Sequence, residues 1–253
     1  MKLNRRISGQ IERPADKRRY VRRLFTGVAD RYDLTNDVMS LGLHRRWKRR
    51  LLARAELRPG HRVLDLAAGT GDLARGALDH AARDAFEIRV VAADLTPEMM
   101  RVGRGRGRAG RGRAGPDLAG WVGADALRLP FPDGAFDRVV VGYGLRNFAG
   151  LDAALAESFR CLRPGGRLIS LDFGHPRSAA LRRIYLGYLD VSTRLAGWAI
   201  HRDPESYVYI PESLRRFPDQ REMVRRMEAA GFVECGYEDL MMGTMAINWG
   251  DRR

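Results

Sequence analysis

Short runs of aliphatic residues alternate along the chain with longer stretches in which apolar positions recur at helical spacing. The runs predict seven strands, at about residues 62–67, 88–93, 120–122, 136–142, 167–173, 232–239 and 244–249. Strands that alternate with helices are typical of a parallel sheet covered on both faces, and a closing hairpin would add an antiparallel edge strand. The pattern therefore predicts an α/β fold with a mostly parallel seven-stranded sheet.

The segments outside this alternation predict the domain organisation. Residues 1–19 are basic and polar and include Pro14, so we predict a disordered tail. Helical stripes at about 20–32 and 43–57 predict a helical lid over residues 20–57, and residues 177–217 predict a helical cap insertion. We expect a single domain over residues 20–253, which includes both additions.

Composition narrows the class of protein. The chain has 253 residues, enough for one α/β domain with a full core. It contains no apolar run of 18 residues, and its basic N-terminus does not resemble a secretory signal. Cys161 and Cys235 form neither a disulfide framework nor a metal-ligand spacing, so we expect reduced thiols, no metal and a cytoplasmic location.

The formal net charge of +14 indicates an acidic partner, either nucleic acid or an anionic membrane surface. Six of the positive charges lie in residues 101–115, RVGRGRGRAGRGRAG. Such an Arg/Gly run could bind single-stranded RNA, or it could be the crossover helix required between strands two and three. No aromatic residue interleaves the arginines, so we favour the helix and predict no specific nucleic-acid partner.

The sequence VLDLAAGTGD, at residues 63–72, predicts a strand that runs into a glycine turn. Gly69 and Gly71 would let a ligand approach the backbone. A dinucleotide site would need a third glycine, and here Asp65 and Asp72 flank the turn instead. Two carboxylates suit a ligand that carries a sulfonium and an amine, such as S-adenosylmethionine, better than they suit a pyrophosphate. An ordinary βα turn with solvated acids is the alternative.

Further acids follow the next two strands. Asp94 ends the second strand, where a carboxylate can accept both hydroxyls of a ribose; capping of a helix is the alternative. Asp125 and Ala126 follow the third strand, where the carboxylate could accept from an adenine amine or serve only as a loop acid. Open α/β sheets bind ligands at the carboxyl ends of their strands, so these residues are expected to share one site.

The motifs as a set resemble a class I S-adenosylmethionine-dependent methyltransferase, a Rossmann-like fold. DALRLPFPDGAFD at 125–137 and LRPGG at 162–166 add to the resemblance. YDLTNDVMSLGLHRRW at 32–47, GYGLRNF at 142–148 and PESLRRFP at 211–218 resemble the menaquinone/ubiquinone biosynthesis C-methyltransferase family more narrowly. This likeness covers nearly the whole chain and implies C-methylation of a prenylated quinol, demethylmenaquinol to menaquinol or the ubiquinone step. Another aromatic metabolite is the alternative acceptor.

Carried over residue by residue, the resemblance implies cofactor contacts at Thr70, Asp94, Asp125 and Ala126. Gly142 stands where some members of the family have serine, so one side-chain contact would be absent. LDFG, at residues 171–174, departs from the family, in which a Glu and a small hydroxyl residue are common. This departure leaves the acceptor less well defined than the reaction.

The acceptor side is expected to use three polar residues. His44 is a candidate for a polar role near the ring, or it could join the N-terminal helices together with Trp47. Arg146 could stabilise a developing phenolate and Asn147 could fix a ring oxygen, or both could belong to a loop that packs the end of strand four. Tyr32, Asp33 and Asn36 belong to the predicted lid.

A prenylated quinol resides in a bilayer, so the resemblance also implies transient association with the inner face of a membrane. Residues 181–200, LRRIYLGYLDVSTRLAGWAI, offer apolar and aromatic side chains beside arginines. This segment could line a channel for the tail or touch the interface, or it could be an ordinary helix over the core. A second copy of the chain, in a homodimer, could be a further partner.

Overall fold

A computed structural model describes residues 13–40, 42–109, 118–196 and 205–253. Its strands are β1 (Arg62–Leu66), β2 (Arg89–Asp94), β3 (Gly120–Gly123), β4 (Phe136–Gly142), β5 (Leu162–Phe173), β6 (Val233–Leu240) and β7 (Met245–Asp251). The helices between and after them are α4 (Asp72–Arg83), α5 (Pro97–Ala109), α6 (Leu151–Cys161), α7 (Ala179–Ala196), α8 (Glu205–Arg216) and α9 (Gln220–Ala229). Before β1 lie α1 (Pro14–Val28), a 3₁₀ turn (Ala29–Arg31), α2 (Tyr32–Ser40) and α3 (His44–Arg54).

One seven-stranded sheet runs in the order β3-β2-β1-β4-β5-β7-β6. The first five strands are parallel to their neighbours, and β7 is antiparallel to both β5 and β6. This confirms the predicted fold, with the antiparallel strand inserted next to the edge. The order reverses between β1 and β4, which is where an open α/β sheet leaves a crevice for a ligand.

Alternation along the strands builds a core on each face of the sheet. On β1, Leu64 and Leu66 belong to one buried cluster, whereas Val63 belongs to the cluster on the other face of the sheet. Val140 and Val141 separate in the same way on β4. Because the side-chain period of a strand is two, helices must cover both faces, and the crevice is left open only at the strand ends.

The N-terminal helix begins earlier than predicted. Residues 14–19 were assigned to a disordered tail, but α1 starts at Pro14. Proline is favoured in the first turn because its missing N–H needs no partner there, and Asp16 complements the helix dipole. The prediction took Pro14 as a sign of disorder and was wrong for residues 14–19; residues 1–12 lie outside the described residues.

The Arg/Gly run is helical as far as it is described. It continues α5 to Ala109, while residues 110–117 lie outside the described ranges. Arg101 and Arg106 form ion pairs with Asp30 and Asp33 of the N-terminal segment. The crossover helix predicted between β2 and β3 is therefore confirmed for residues 97–109. In the part of the chain that the structure describes, no helix has the length and apolar character needed to cross a membrane.

Candidate active site

The glycine turn after β1 requires both of its glycines, for different reasons. Gly69 has φ +56° and Gly71 has φ +81°, a region that favours glycine. A Cβ on Gly71 would lie 2.6 Å from the ring of Trp121. Gly69 borders a cavity, as predicted for ligand approach, whereas Gly71 instead makes room for an aromatic ring and forms the N-cap of α4.

A cavity of about 80 Å³ lies at the carboxyl ends of β1, β2 and β4. Six of the residues predicted from the sequence line it: Gly69, Asp94, Asp125, Ala126, Gly142 and Asn147. The carboxylate of Asp94 accepts hydrogen bonds from the backbone N–H groups of Gly69 (2.8 Å) and Thr96 (2.7 Å). Burial raises the pKa of Asp94, but these bonds favour the charged form, which remains able to accept from ribose hydroxyls.

Helix α1 covers this cavity. Arg18 lines it and forms an ion pair with Asp125 (3.1 Å). The other oxygen of Asp125 accepts from the backbone N–H of Leu127 (3.1 Å). Lys17, on the same helix, contacts the loop after β4: its Nζ donates a hydrogen bond to the carbonyl oxygen of Arg146 (2.9 Å). The N-terminal helix is thus joined to the loops after β3 and β4, which carry the predicted cofactor residues.

Two predicted cofactor residues, Asp65 and Thr70, do not line this cavity. The carboxylate of Asp65 is buried and accepts from the backbone N–H of Ala74 (2.8 Å), which supports the first turn of α4. The hydroxyl of Thr70 is also buried and donates to Asp33 (3.0 Å). Asp65 therefore supports the backbone at the start of α4, and Thr70 joins the turn to α2 through Asp33.

Asp65 is expected to make stability depend on pH. Burial raises its pKa to about 7 in the folded protein. Because this value lies above that of the unfolded chain, the folded state binds the extra proton and loses stability as pH rises from about 4 to 7. Asp65→Asn keeps the acceptor for Ala74 N–H and should be more stable than the wild type at pH 8, with the difference vanishing near pH 4. Urea unfolding of the cofactor-free protein across this range measures the effect.

Asp72→Asn is the matched control, because the pKa of Asp72 is shifted downwards. Burial opposes this shift, but the charges and hydrogen bonds of Lys48 and Arg75 together outweigh burial and lower the pKa. Its stabilising contribution is present above the unfolded pKa and is lost as pH falls through the folded value. Asp72→Asn should therefore destabilise the protein at pH 7, and a stabilising effect at pH 8 in both variants would contradict the assignment to Asp65.

A second and larger cavity, of about 310 Å³, lies on the other side of Tyr32 and Tyr143. These two residues and Phe25 line both cavities. The walls of the larger cavity are mostly aromatic and aliphatic. Five buried polar atoms on its lining residues have no hydrogen-bond partner among the described residues: Asn36 Nδ2, His44 Nδ1, Tyr143 OH, Arg146 Nε and Tyr209 OH. Unpaired buried polar groups are costly, so this wall is suited to a ligand with oxygen atoms.

Arg146 is held in this wall by a residue that the sequence analysis did not select. Its Nη1 donates to Asp172 at 2.7 Å, and the guanidinium lies 4.7 Å above the ring of Phe173. Burial opposes the charge, but Asp172, together with smaller contributions from Tyr32 and Tyr209, outweighs burial and raises the pKa of Arg146. Asp172, noted in the sequence as a departure from the family, is thus the partner that keeps a buried arginine charged.

His44 also lines this cavity. Its Nε2 is 2.7 Å from the carboxylate of Asp37, and Asp37 also pairs with Arg45. A carboxylate next to Nε2 places the proton there in the neutral ring, so Nδ1 carries a lone pair. Burial lowers the pKa of His44, which keeps the ring neutral near pH 7. The structure therefore shows an imidazole with a free acceptor nitrogen at the cavity.

Asn147, predicted on the acceptor side, lies at the smaller cavity. Its Nδ2 donates to the carbonyl oxygen of Tyr143 (2.9 Å), and its buried Oδ1 has no partner in the described ranges. This geometry suits a contact with the cofactor. Together with the carboxylates of Asp94 and Asp125, it gives a set of acceptors that fits a nucleoside with hydroxyl and amine groups.

The sequence matches the ubiE/COQ5 methyltransferase family over residues 13–252. The chain belongs to the ubiE/COQ5 methyltransferase family. A relative from Methylococcus capsulatus, named ubiquinone/menaquinone biosynthesis C-methyltransferase UbiE, is 41% identical over 235 residues, which cover 93% of this chain and 92% of the relative.

Solved structures agree with the family at the level of the fold. A SAM-dependent methyltransferase from Thermotoga maritima superposes with a TM-score of 0.60 at 20% identity, covering 91% of this chain and 99% of the other. A phosphoethanolamine methyltransferase from Haemonchus contortus, solved with S-adenosylhomocysteine, gives 0.59 at 14% identity, covering 82% and 52%. This ubiE/COQ5 member is a class I methyltransferase, and its cofactor is S-adenosylmethionine.

Proposed function

We propose that this ubiE/COQ5 methyltransferase transfers a methyl group to a ring carbon of a prenylated quinol, converting demethylmenaquinol to menaquinol. The observation that carries the proposal is the larger cavity, in which aromatic walls surround unpaired polar atoms of Arg146 and Tyr209. A hydroxylated aromatic ring supplies both the stacking surface and the oxygens that such a cavity requires. The name of the Methylococcus capsulatus relative supports a quinone acceptor.

The shared wall supports the position of the transfer. Because Phe25, Tyr32 and Tyr143 line both cavities, an acceptor ring and the cofactor would meet beside these side chains. S-adenosylmethionine supplies the methyl group, already activated on a sulfonium. The remaining task of the protein is to hold the ring carbon in line with it, and such positioning is worth several kcal/mol.

The acceptor carbon becomes nucleophilic when a neighbouring ring hydroxyl loses its proton. In the proposed mechanism the free Nδ1 of His44 accepts this proton, and Asp37 stabilises the imidazolium that results. The ring carbon then takes the methyl group as the C–S bond breaks, and S-adenosylhomocysteine leaves. Loss of the proton from that carbon, with return of the proton from His44 to the ring oxygen, restores the aromatic quinol. The buried guanidinium of Arg146 stabilises the phenolate, with its unpaired Nε as the donor that faces the ring. Asp172 holds Arg146 in place, and Asn147 contributes on the cofactor side.

Demethylmenaquinol is the acceptor we favour, because a fused bicyclic ring offers a larger flat surface than a single ring to the aromatic side chains of the cavity. Phe25, Trp47 and Phe173 supply three of them. The test is transfer of labelled methyl from S-adenosylmethionine to demethylmenaquinol, measured beside the ubiquinone precursor. We expect kcat/KM to be higher for demethylmenaquinol. A preference for the ubiquinone precursor would reassign the acceptor, and no transfer to either would overturn the proposal.

His44→Gln separates catalysis from architecture in the same assay. Glutamine retains a polar group for Asp37 but cannot act as a base near neutral pH. Loss of general-base catalysis typically costs about 100-fold or more in rate, so we expect kcat to fall while the affinity for S-adenosylmethionine stays the same. An unchanged kcat would show that His44 only joins α2 to α3.

A prenylated acceptor resides in a bilayer, so the proposal includes a transient visit to the inner face of a membrane. The excess of basic residues supports such a visit, since each basic residue near an anionic surface contributes about 1 kcal/mol.

A further inference from the structure

The large hydrophobic side chains that are exposed in the described residues are concentrated in three elements. They are Leu34, Ile184, Tyr188, Val191, Met241 and Met242. Scattered apolar residues are normal on a surface, but a cluster marks a contact site. Helix α2 carries Leu34, helix α7 carries the next three, and the 3₁₀ turn Met241–Gly243 carries the two methionines. We call these six residues the apolar rim.

The apolar rim lies at the larger cavity. Tyr188 and Met241 are both exposed and line that cavity, so they join its interior to the surface. Ile184, Tyr188 and Val191 are spaced at i, i+4 and i+7 and therefore share one face of α7. Helices α2 and α7 pack against each other. Two of the six rim residues therefore border the cavity assigned to the acceptor, and the other four lie on the same three elements.

The methionine turn is strained as well as exposed. Met241 has φ +47° and Met242 has φ +57°, in the left-handed region that costs a residue with a side chain about 1–2 kcal/mol. Met242 is 76% exposed. Strain of this kind persists where the surroundings enforce it and is concentrated at functional sites. Here it holds two flexible apolar side chains outwards, beside the opening.

Positive charge accompanies the apolar rim. Arg182 and Arg183 directly precede Ile184 on α7, and both are exposed. Neither forms an ion pair with another described residue, in contrast to Arg215 on α8, which pairs with Asp190. Unpaired guanidinium groups next to exposed aliphatic residues are complementary to a surface that presents phosphates above hydrocarbon. A neutral or basic protein surface would not match these charges.

We propose that the apolar rim is a docking surface for an anionic phospholipid bilayer, with Met241 and Met242 inserted beside the opening and Arg182 and Arg183 on the headgroups. The inference rests on the proposed prenylated acceptor. In this orientation the opening of the larger cavity lies on the membrane, so the quinol ring can enter while its tail remains in hydrocarbon. Burial of the rim and attraction to the headgroups both favour binding.

Vesicle sedimentation tests the docking surface directly. Wild-type protein is mixed with vesicles of phosphatidylcholine alone or with one quarter phosphatidylglycerol, at low and high salt. We expect binding to the anionic vesicles that weakens with salt. The variant Ile184→Gln/Val191→Gln/Met242→Asn should bind at least about tenfold more weakly. Glutamine suits a helix, and asparagine tolerates the positive φ at position 242.

A second variant, Arg182→Gln/Arg183→Gln, should lose about fivefold in affinity per arginine on anionic vesicles, because each basic residue contributes about 1 kcal/mol. The matched control is Ala153→Gln/Ala156→Gln on α6, which changes two exposed helix positions away from the rim and should bind like the wild type. All variants are first checked for unchanged thermal unfolding and unchanged affinity for S-adenosylmethionine.

Three results would overturn the docking surface: no wild-type binding to anionic vesicles at low salt, equal binding by the apolar variant, or conversion of a dimer to a monomer by that variant without loss of vesicle binding. The last result would make the rim an interface between two copies of the chain. Methylation of a soluble quinol without a tail is measured separately and should be unchanged in the apolar variant. That assay tests the proposed function, whereas vesicle binding requires no acceptor, so the two failures are distinguishable.

Discussion

Replacement of Asp172 by alanine is expected to lower the free energy of unfolding by about 3–5 kcal/mol and to abolish methyl transfer. Asp172 and Arg146 are both buried, and their ion pair, at 2.7 Å, supplies the only charge compensation for Arg146 that the described residues show at hydrogen-bond distance. Without it a guanidinium would be left in an apolar wall against Phe173. Urea unfolding and kcat, measured side by side, test both parts of the prediction.

The double variant Arg146→Met/Asp172→Leu separates stability from catalysis. Replacing a buried pair by apolar residues of similar size is often neutral or stabilising, so much of the lost stability should return. Activity should not return, because the phenolate would still lack its cationic partner. A double variant with the kcat of the wild type would show that Arg146 has a structural role only.

Asp94→Ala is expected to weaken S-adenosylmethionine binding by at least about 100-fold, measured by calorimetry. Hydrogen bonds to a charged group are worth about 1.5–3 kcal/mol each, and the ribose would lose both of its contacts with the carboxylate. The loss of support for Gly69 N–H and Thr96 N–H would also loosen the turn. Asp84→Ala, at an exposed carboxylate after α4, is the control and should leave the affinity unchanged. Equal affinities for Asp94→Ala and the wild type would place the ribose elsewhere.

The cofactor side of the site could be predicted because it depends on strand order. Asp94 and Asp125 each follow a strand of a parallel sheet, and the carboxyl ends of such strands meet at one edge. Local pattern was enough to find both strands, so both acids were placed before any packing was known. The cavity contains them together with Gly142, at the end of β4.

The acceptor side could be predicted only in part, because its contacts join segments that are far apart in sequence. Arg146 and Asp172 meet because β4 and β5 pair in register, with Gly142 opposite Leu171. A sequence pattern can locate the two strands but cannot fix that register. The side on which Asn147 lies likewise depends on the 3₁₀ turn Leu145–Asn147, which turns successive side chains towards different cavities.

The start of α1 was missed for a local reason. Pro14 is compatible with a disordered tail and with the first turn of a helix, and residues 15–19, ADKRR, carry no large apolar side chain that would extend the helical stripe back to it. The reason for Gly71 was missed because it depends on Trp121, which belongs to β3, fifty residues further along the chain.

The common wall of the two cavities would couple the two ligands that we propose for them. Phe25 belongs to α1 and Tyr32 to α2, and both residues line the two cavities at once. A ligand in one cavity that fixes the orientation of these rings also fixes that orientation for a ligand in the other cavity. Thermodynamic linkage then requires reciprocity: whatever factor the cofactor imposes on the affinity for the quinol, the quinol imposes on the affinity for the cofactor.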